Sequence, residues 1–281
     1  MFERLSTGWE LTKQSFRVVR LDKEMLLFPL LSGIACLLVL ASFAIPLWNS
    51  PWFQQVLDEE TAPQDPIVYV VLFAFYFVNY FVIVFFNSAL MACAIKRFRG
   101  GDPTLSDGLR AASARLPQIV GWALVSATVG VILKVIESRS ERVGQIVSGL
   151  LGAGWAIATF FVIPVLVVER VGPIEATKRS FAILRKSWGE ALAGKVGIGL
   201  IVFVAMIPAF VGIVAGVSLI ASEHLYLGAP CLALSVLWII FVSLVSSTVQ
   251  TVLVGALYLY AEGETPGQFD ESLLRQAFYR K

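Results

Sequence analysis

The sequence contains few residues of the types and spacing that catalysis requires. Its single histidine, His224, stands beside Glu223, and one histidine next to one carboxylate does not complete a metal site. No HExxH, GxSxG or phosphate-loop motif occurs, and Cys36, Cys93 and Cys231 are far apart with no CxxC pair. Acid–base, nucleophilic and metal chemistry all require several converging groups. We therefore predict no catalytic residue, no metal and no cofactor, and a protein that is not an enzyme.

Clusters of basic residues give the first candidate binding site. They contain Lys96, Arg97, Arg99, Lys178, Arg179, Arg185 and Lys186. A basic residue near an anionic leaflet gains about 1 kcal/mol, so we predict that these side chains bind anionic lipid or a partner protein at the cytoplasmic face. The alternative is that they only brace helices at the interface, because positively charged loops stay on that side in any case. We expect no nucleic-acid partner. The sequence leaves open whether the protein forms a homo-oligomer.

Polar side chains within apolar segments give the second candidate site. The last apolar segment carries Ser243, Ser247, Gln250 and Thr251 on one helical face, and the second carries Asn79 and Asn87. The amide of Gln250 cannot remain unpaired in hydrocarbon, so we expect it to meet a partner, water or cargo. This face could line an aqueous path. The alternative is helix packing, since hydroxyls in lipid commonly bond their own or a neighbouring helix.

The composition indicates that lipid is the main solvent of this protein. Of 281 residues, 57% are hydrophobic and 15% are charged, against roughly 45–50% and about 25% in soluble domains. A helix needs around 20 apolar residues to cross the hydrocarbon core. Six segments without charged residues meet this requirement: Met25–Trp48, Pro66–Ile95, Leu116–Leu133, Val143–Val168, Val196–Ser222 and Leu225–Ala261. We predict an all-α polytopic membrane helical bundle of six transmembrane helices, the first of which is retained and not cleaved as a signal.

The distribution of basic residues predicts the orientation. Segments 1–24, 93–116, 169–195 and 261–281 hold 19 of the 22 Lys and Arg residues. Because such loops remain cytoplasmic, both termini are predicted to lie in the cytoplasm of a bacterium, with the chain in its inner (plasma) membrane. No acidic residue lies near the centre of a predicted span, which disfavours a proton-coupled transporter.

An internal repeat is visible in the segments outside the predicted spans. Residues 10–20 align without gaps with residues 175–185, and six of the eleven positions are identical. Apolar stripes at helical spacing predict an amphipathic interface helix in each copy: Trp9, Thr12, Phe16 and Val19, then Ile174, Thr177, Phe181 and Leu184. Capping patterns place the helix starts at Thr7 and Pro173.

A third amphipathic segment is predicted at Thr104–Leu116. One amphipathic helix and two spans then form a unit, repeated approximately at 1–95, 96–168 and 169–261, with a cytoplasmic tail at 262–281. Three such units in one orientation predict a pseudo-threefold axis along the membrane normal within a single integral membrane domain, 1–281.

Several short motifs resemble known sequences. They are Val162–Glu169, Gly172–Ala176, Lys178–Ser180 and Trp188–Gly189, together with Phe86–Leu90 and Arg99–Pro103. These motifs resemble uncharacterised six-helix bacterial membrane proteins. The first four of them are also distantly similar to the membrane domain of some bacterial glycerophosphodiester phosphodiesterases. The chemistry of those phosphodiesterases belongs to a separate soluble domain. The resemblance therefore implies an integral membrane module without transferred catalytic residues.

Together these observations predict a non-enzymatic integral membrane module. It would serve as a scaffold or accessory protein that binds anionic lipid or a partner protein at the cytoplasmic face. The alternative is a channel or uncoupled transporter with a polar path along the last span.

Overall fold

A computed structural model of the protein describes residues 2–50, 66–138, 143–271, 273 and 274, with only the backbone at 2–7, 66, 138, 143 and 186–197. These ranges contain nine α-helices and no strand: α1 Phe2–Leu21, α2 Leu27–Trp48, α3 Pro66–Phe98, α4 Leu105–Ser113, α5 Leu116–Ser138, α6 Val143–Ala158, α7 Val162–Glu169, α8 Pro173–Ala221 and α9 Leu225–Ala261. A 3-10 helix, Lys23–Leu26, precedes α2.

The predicted six-span architecture is confirmed. Within the described ranges, six stretches are long and apolar enough to cross a membrane: Lys23–Trp48, Ile67–Phe98, Leu116–Glu137, Gly144–Glu169, Ile198–Ala221 and Leu225–Ala261. They coincide with the predicted segments to within a few residues. Helices satisfy their own backbone hydrogen bonds, which lipid cannot do. The protein is an all-α multi-pass membrane protein.

The chain divides into two compact units. The first unit consists of Met1–Leu26, Arg97–Gly101 and Ser187–Lys281, and the second of Leu27–Lys96 and Asp102–Lys186. The predicted single domain and the boundaries of the repeat remain predictions.

In the first unit, α1 packs against α9. The packed face of α1 contains the buried side chains of Leu11, Ser15, Val18 and Val19. α8 and α9 also approach closely, because a Cβ atom at Gly212 would collide with the side chain of Ser235. In the first unit, the helices therefore pack through small and apolar side chains.

In the second unit, α4 packs tightly beside α2 and α3. A Cβ atom at Gly108 would lie 2.5 Å from the ring of Phe28 and 2.8 Å from the carbonyl oxygen of Ala89. The hydroxyl of Thr104 accepts a hydrogen bond from the backbone N–H of Asp107, and the Asp107 side chain accepts one from the backbone N–H of Thr104. This capping box confirms the predicted start of the third amphipathic segment.

The fourth span is broken between α6 and α7. In a continuous helix the N–H of residue 164 would bond to the carbonyl of Phe160, but Pro164 has no N–H and its ring crowds that carbonyl. The buried hydroxyl of Ser180 lies in the break. It donates a hydrogen bond to the Ala158 carbonyl at 2.7 Å and accepts one from the Phe161 N–H at 2.9 Å. Ser180 thereby satisfies two backbone groups that the break releases.

The two aligned segments bury the same positions. Four aligned pairs are buried in both copies: Leu11 and Ala176, Ser15 and Ser180, Val18 and Ile183, Val19 and Leu184. Other members of the predicted stripes are exposed, namely Trp9 (47%), Phe16 (37%), Ile174 (70%) and Phe181 (55%). The shared pattern supports the repeat, which stays a prediction.

The predicted helix starts have different outcomes. α8 begins at Pro173, as predicted, and the fixed φ of proline suits a first helical position. α1 begins at Phe2, so the predicted start at Thr7 is wrong. Thr7 instead lies inside the helix, because residues 2–6 extend the helical turn ahead of it.

Replacing Ser180 with alanine tests its role in the break. We expect the free energy of unfolding to fall by roughly 2–4 kcal/mol, because two buried backbone groups lose their partner. Unfolding by SDS of the detergent-solubilised protein, followed by tryptophan fluorescence, measures the change. Ser15→Ala is the matched control. Among the described residues, the Ser15 hydroxyl bonds to the Leu11 carbonyl in its own helix and to no other group, so its loss should cost under about 1 kcal/mol. Equal losses in both variants would contradict the assigned role.

Candidate functional site

Two of the predicted lipid-binding residues form exposed ion pairs. Nζ of Lys96 lies 2.8 Å from Oδ2 of Asp107, and the guanidinium of Arg99 forms two hydrogen bonds with Glu264, at 2.8 and 2.9 Å. The hydrogen bond from Lys96, followed by those from Thr104, lowers the pKa of Asp107. The Arg99 guanidinium likewise lowers the pKa of Glu264. Both carboxylates therefore stay ionised well below neutral pH, and both bases are already paired.

A third predicted residue, Arg97, has a structural role. Its guanidinium forms two hydrogen bonds with the carboxylate of Asp22. The Asp22 side chain is 7% exposed and that of Arg97 is 19% exposed. The backbone carbonyl of Arg97 also accepts a hydrogen bond from the Gln268 side chain at 3.3 Å. Arg97 therefore links the end of α3 to the residues before α2 and to the segment after α9, all in the first unit.

The other predicted basic cluster is more open. Arg179 lies 3.2 Å from the Glu169 carboxylate, whereas Lys178 and Arg185 are exposed. The side chain of Lys186 lies outside the described residues. Lys178 and Arg185 are thus the predicted binders that the structure leaves accessible on α8.

Both aligned segments display a stripe of alternating apolar and basic side chains. We define the exposed stripe of α1 as Trp9, Lys13, Phe16 and Arg20, and that of α8 as Ile174, Lys178, Phe181 and Arg185. The spacing of four, three and four residues places each stripe on one helical face. In α1, Nζ of Lys13 lies 5.6 Å from the Trp9 ring centre, and the Arg20 guanidinium lies 4.7 Å from that of Phe16. Each base is therefore held against a large apolar side chain.

A cavity of about 600 Å³ lies beside α1 within the first unit, and we call it the α1 cavity. Ligand pockets have volumes of roughly 300–1,000 Å³. Its lining is basic on α1 and almost wholly apolar on α8 and α9: Thr12, Lys13, Phe16, Arg17, Arg20, Ile198, Ile201, Val202, Ala205, Trp238, Phe241, Val242, Val245, Ser246 and Val249. The arrangement suits a ligand with a negative end and a hydrocarbon body.

The bases of the α1 cavity are not among the residues that the sequence predicts to bind lipid. Lys13, Arg17 and Arg20 follow one another at intervals of four and three residues, which is a visible helical pattern. The apolar walls could not be found in this way. They depend on α1 packing against a helix more than 200 residues later in the chain.

The polar residues of α9 form hydrogen bonds along their own helix. The Gln250 amide donates to Oγ of Ser246 at 3.1 Å, and the Thr251 hydroxyl donates to the carbonyl of Ser247 at 3.0 Å. The side chain of Ser243 is exposed. Such hydrogen bonds within one helix are expected if these polar residues serve helix packing. The polar path along α9 remains a prediction.

The two asparagines of α3 differ from each other. The Asn79 amide donates to the carbonyl of Phe75 at 2.9 Å, again in its own helix. For Asn87, the described part of the chain provides no hydrogen-bond partner. Its amide thus remains a candidate for contact with water or cargo.

The His, Cys, Asp and Glu side chains that could take part in metal chemistry do not form a cluster in the described part of the chain. Nδ1 of His224 lies 2.6 Å from the carbonyl oxygen of Ser222, in the turn between α8 and α9. Within the described ranges, no three His, Cys, Asp or Glu residues are placed to hold a metal ion.

The fold and the basic segments define the class of this protein: an all-α, multi-pass membrane protein with amphipathic segments outside its spans. The chain belongs to DUF6159, a family of unknown function, whose model matches residues 66–268. This family agrees with the predicted resemblance to uncharacterised membrane proteins. Comparisons with curated proteins and with solved structures found no match.

Replacing Asp22 with alanine tests the structural role of Arg97. We expect a loss of about 2–4 kcal/mol in the free energy of unfolding, because a largely buried guanidinium would lose its counter-charge. Glu10→Ala is the control, since it removes an exposed pair with Lys13 that contributes at most about 0.5 kcal/mol. The same SDS unfolding assay measures both. If the two variants unfolded alike, Arg97 would be available for binding after all.

Proposed function

We propose that this protein is a non-enzymatic integral membrane module that binds anionic lipid through its basic amphipathic segments. In this role it serves as a scaffold or accessory protein at the cytoplasmic face. The observation that carries the proposal is the exposed stripe, which occurs in both α1 and α8 with the same Lys, Phe and Arg at aligned positions.

The chemistry of the stripe matches the membrane interface. Large apolar side chains such as Trp9 and Phe16 enter the boundary between headgroups and acyl chains, where aromatic rings are favoured. Lys13 and Arg20 lie directly against these rings, so they are carried to the depth of the headgroups. Each base there gains about 1 kcal/mol from an anionic surface.

The proposed orientation follows from the same segments. The stripes lie in residues 1–24 and 169–195, which hold 5 and 6 of the 22 Lys and Arg residues, and this supports cytoplasmic termini and a bacterial inner membrane. The distant similarity to the membrane domain of glycerophosphodiester phosphodiesterases stays a prediction from the short motifs and does not carry this proposal. The channel alternative keeps its sequence argument, but the hydrogen bonds of Gln250 and Thr251 within α9 do not add to it.

Lipid selectivity tests the proposal directly. The full chain is reconstituted in vesicles of equal parts phosphatidylglycerol and phosphatidylcholine, extracted with styrene–maleic acid copolymer, and its retained lipids are quantified. We expect enrichment of phosphatidylglycerol over the bulk ratio. In Lys178→Gln/Arg185→Gln the relative association constant should fall by up to roughly fivefold for each base removed.

The control for this experiment is Lys134→Gln. Lys134 belongs to neither stripe and pairs with Glu137 at 3.1 Å, so its loss should leave the lipid ratio unchanged. Added salt should reduce the enrichment in the unsubstituted protein, because it screens exposed charges. Retention of both lipids at the bulk ratio by the unsubstituted protein would refute the proposal.

A further inference from the structure

One basic residue distinguishes α1 from the segment of α8 that aligns with it. Arg17 of α1 corresponds to Ala182 of α8, whereas Lys13 corresponds to Lys178 and Arg20 to Arg185. The extra base is one of the residues that line the α1 cavity. This segment therefore carries a charge at the cavity that its partner in the repeat lacks.

The walls of the cavity offer mainly hydrocarbon to a ligand, because the polar side chains in the walls already form hydrogen bonds within the protein. The Thr12 hydroxyl donates to the Gly8 carbonyl at 2.7 Å, and Oγ of Ser246 accepts from Gln250. The indole N–H of Trp238 donates to the Ala205 carbonyl at 2.7 Å, which also joins α9 to α8. Among the lining residues, formal charge comes from Lys13, Arg17 and Arg20, and all of it is positive.

The three basic side chains of the cavity differ in their contacts within the protein. Lys13 lies 2.8 Å from a Glu10 carboxylate oxygen, and the Arg20 guanidinium lies over the Phe16 ring. Arg17 is exposed, and the described side chains provide it with no hydrogen bond or ion pair. An arginine of this kind can bind two oxygens of a phosphate group at once.

We infer that the α1 cavity binds a single anionic glycerophospholipid. The phosphate lies at Arg17, with Lys13 and Arg20 adding positive charge, and an acyl chain lies against the apolar walls of α8 and α9. The inference rests on the proposed function for the negative charge of the ligand, but it concerns one defined site and not the general lipid shell. Charge complementarity and the hydrocarbon lining favour a lipid of the surrounding bilayer as the occupant.

Native mass spectrometry of the full chain in a non-ionic detergent tests the inference. The protein is titrated separately with dioleoylphosphatidylglycerol, dioleoylphosphatidylcholine and glycerol 3-phosphate. We expect one phosphatidylglycerol to bind ahead of any other, with weaker phosphatidylcholine binding and none of glycerol 3-phosphate. Arg17→Ala, which introduces the residue found at the aligned position of α8, should weaken phosphatidylglycerol binding about fivefold or more.

A second variant tests the acyl-chain part of the cavity. Ala205→Phe places a ring among the apolar walls while its backbone carbonyl can still accept the Trp238 hydrogen bond. It should abolish the first bound phospholipid. Lys178→Ala, a base outside the cavity, should leave this binding event unchanged. An unchanged melting temperature shows that each variant is folded, and Arg17→Lys should recover part of the affinity if the variant Arg17→Ala acts through charge.

Three outcomes would overturn the inference: unchanged phosphatidylglycerol binding in both cavity variants, equal binding of the two phospholipids, or equal binding of glycerol 3-phosphate. These outcomes are separable from failure of the proposed function. Loss of lipid-shell enrichment in Lys178→Gln/Arg185→Gln concerns the exposed stripe of α8, which shares no residue with the α1 cavity, whereas loss of the single bound lipid in Arg17→Ala concerns the cavity.

Discussion

The hydrogen-bonding demand of the backbone in lipid is the constraint on which the rest of this structure depends. Lipid offers no partners to N–H and C=O groups, so every interruption of a spanning helix must be satisfied from within the protein. Pro164 creates such an interruption in the fourth span, and Ser180 satisfies it from a different helix. The amphipathic part of α8 is thereby fixed against α6 and α7, and its orientation about its own axis is determined.

That orientation explains how one helix can serve both packing and binding. When Ser180 and Ile183 face the protein, Lys178 and Phe181 must face outward, because helical residues alternate between faces with a period of 3.6. α1 shows the same division, with Ser15 buried and Phe16 exposed. The proposed lipid-binding surface is thus a consequence of how each amphipathic segment is attached to its neighbouring spans.

Much of the architecture could be predicted from the sequence because it depends on local patterns. The six spans follow from uninterrupted apolar runs, the start of α8 from Pro173, and the presence of α4 from the amphipathic pattern of Thr104–Leu116. The burial of the amphipathic helices was harder to predict. Apolar spacing places Trp9 and Phe16 in the predicted stripe, and both side chains are exposed. A membrane protein can expose large apolar side chains to lipid and bury small ones, whereas a soluble protein buries its large apolar side chains.

The candidate site could be predicted only in part, for a related reason. Basic clusters are visible in sequence, but their partners are not. Arg99 pairs with Glu264, which is 165 positions away, and the walls of the α1 cavity come from the far end of the chain. Such pairings depend on tertiary contacts. As a result, the sequence alone does not show that Arg97 and Arg99 are paired within the protein or that Arg17 lines a cavity.

The depth of the exposed stripes in the bilayer is the most direct test of this account. Nitroxide labels are placed singly at positions 13, 16, 178 and 181 of a chain in which Cys36, Cys93 and Cys231 are replaced by alanine, and power saturation is measured with oxygen and with a water-soluble nickel chelate. We predict that the labels at 16 and 181 are reached mainly by oxygen, as in acyl chains, and those at 13 and 178 more by the chelate. Equal access of the chelate to all four positions would contradict the account, because both stripes would then lie in water.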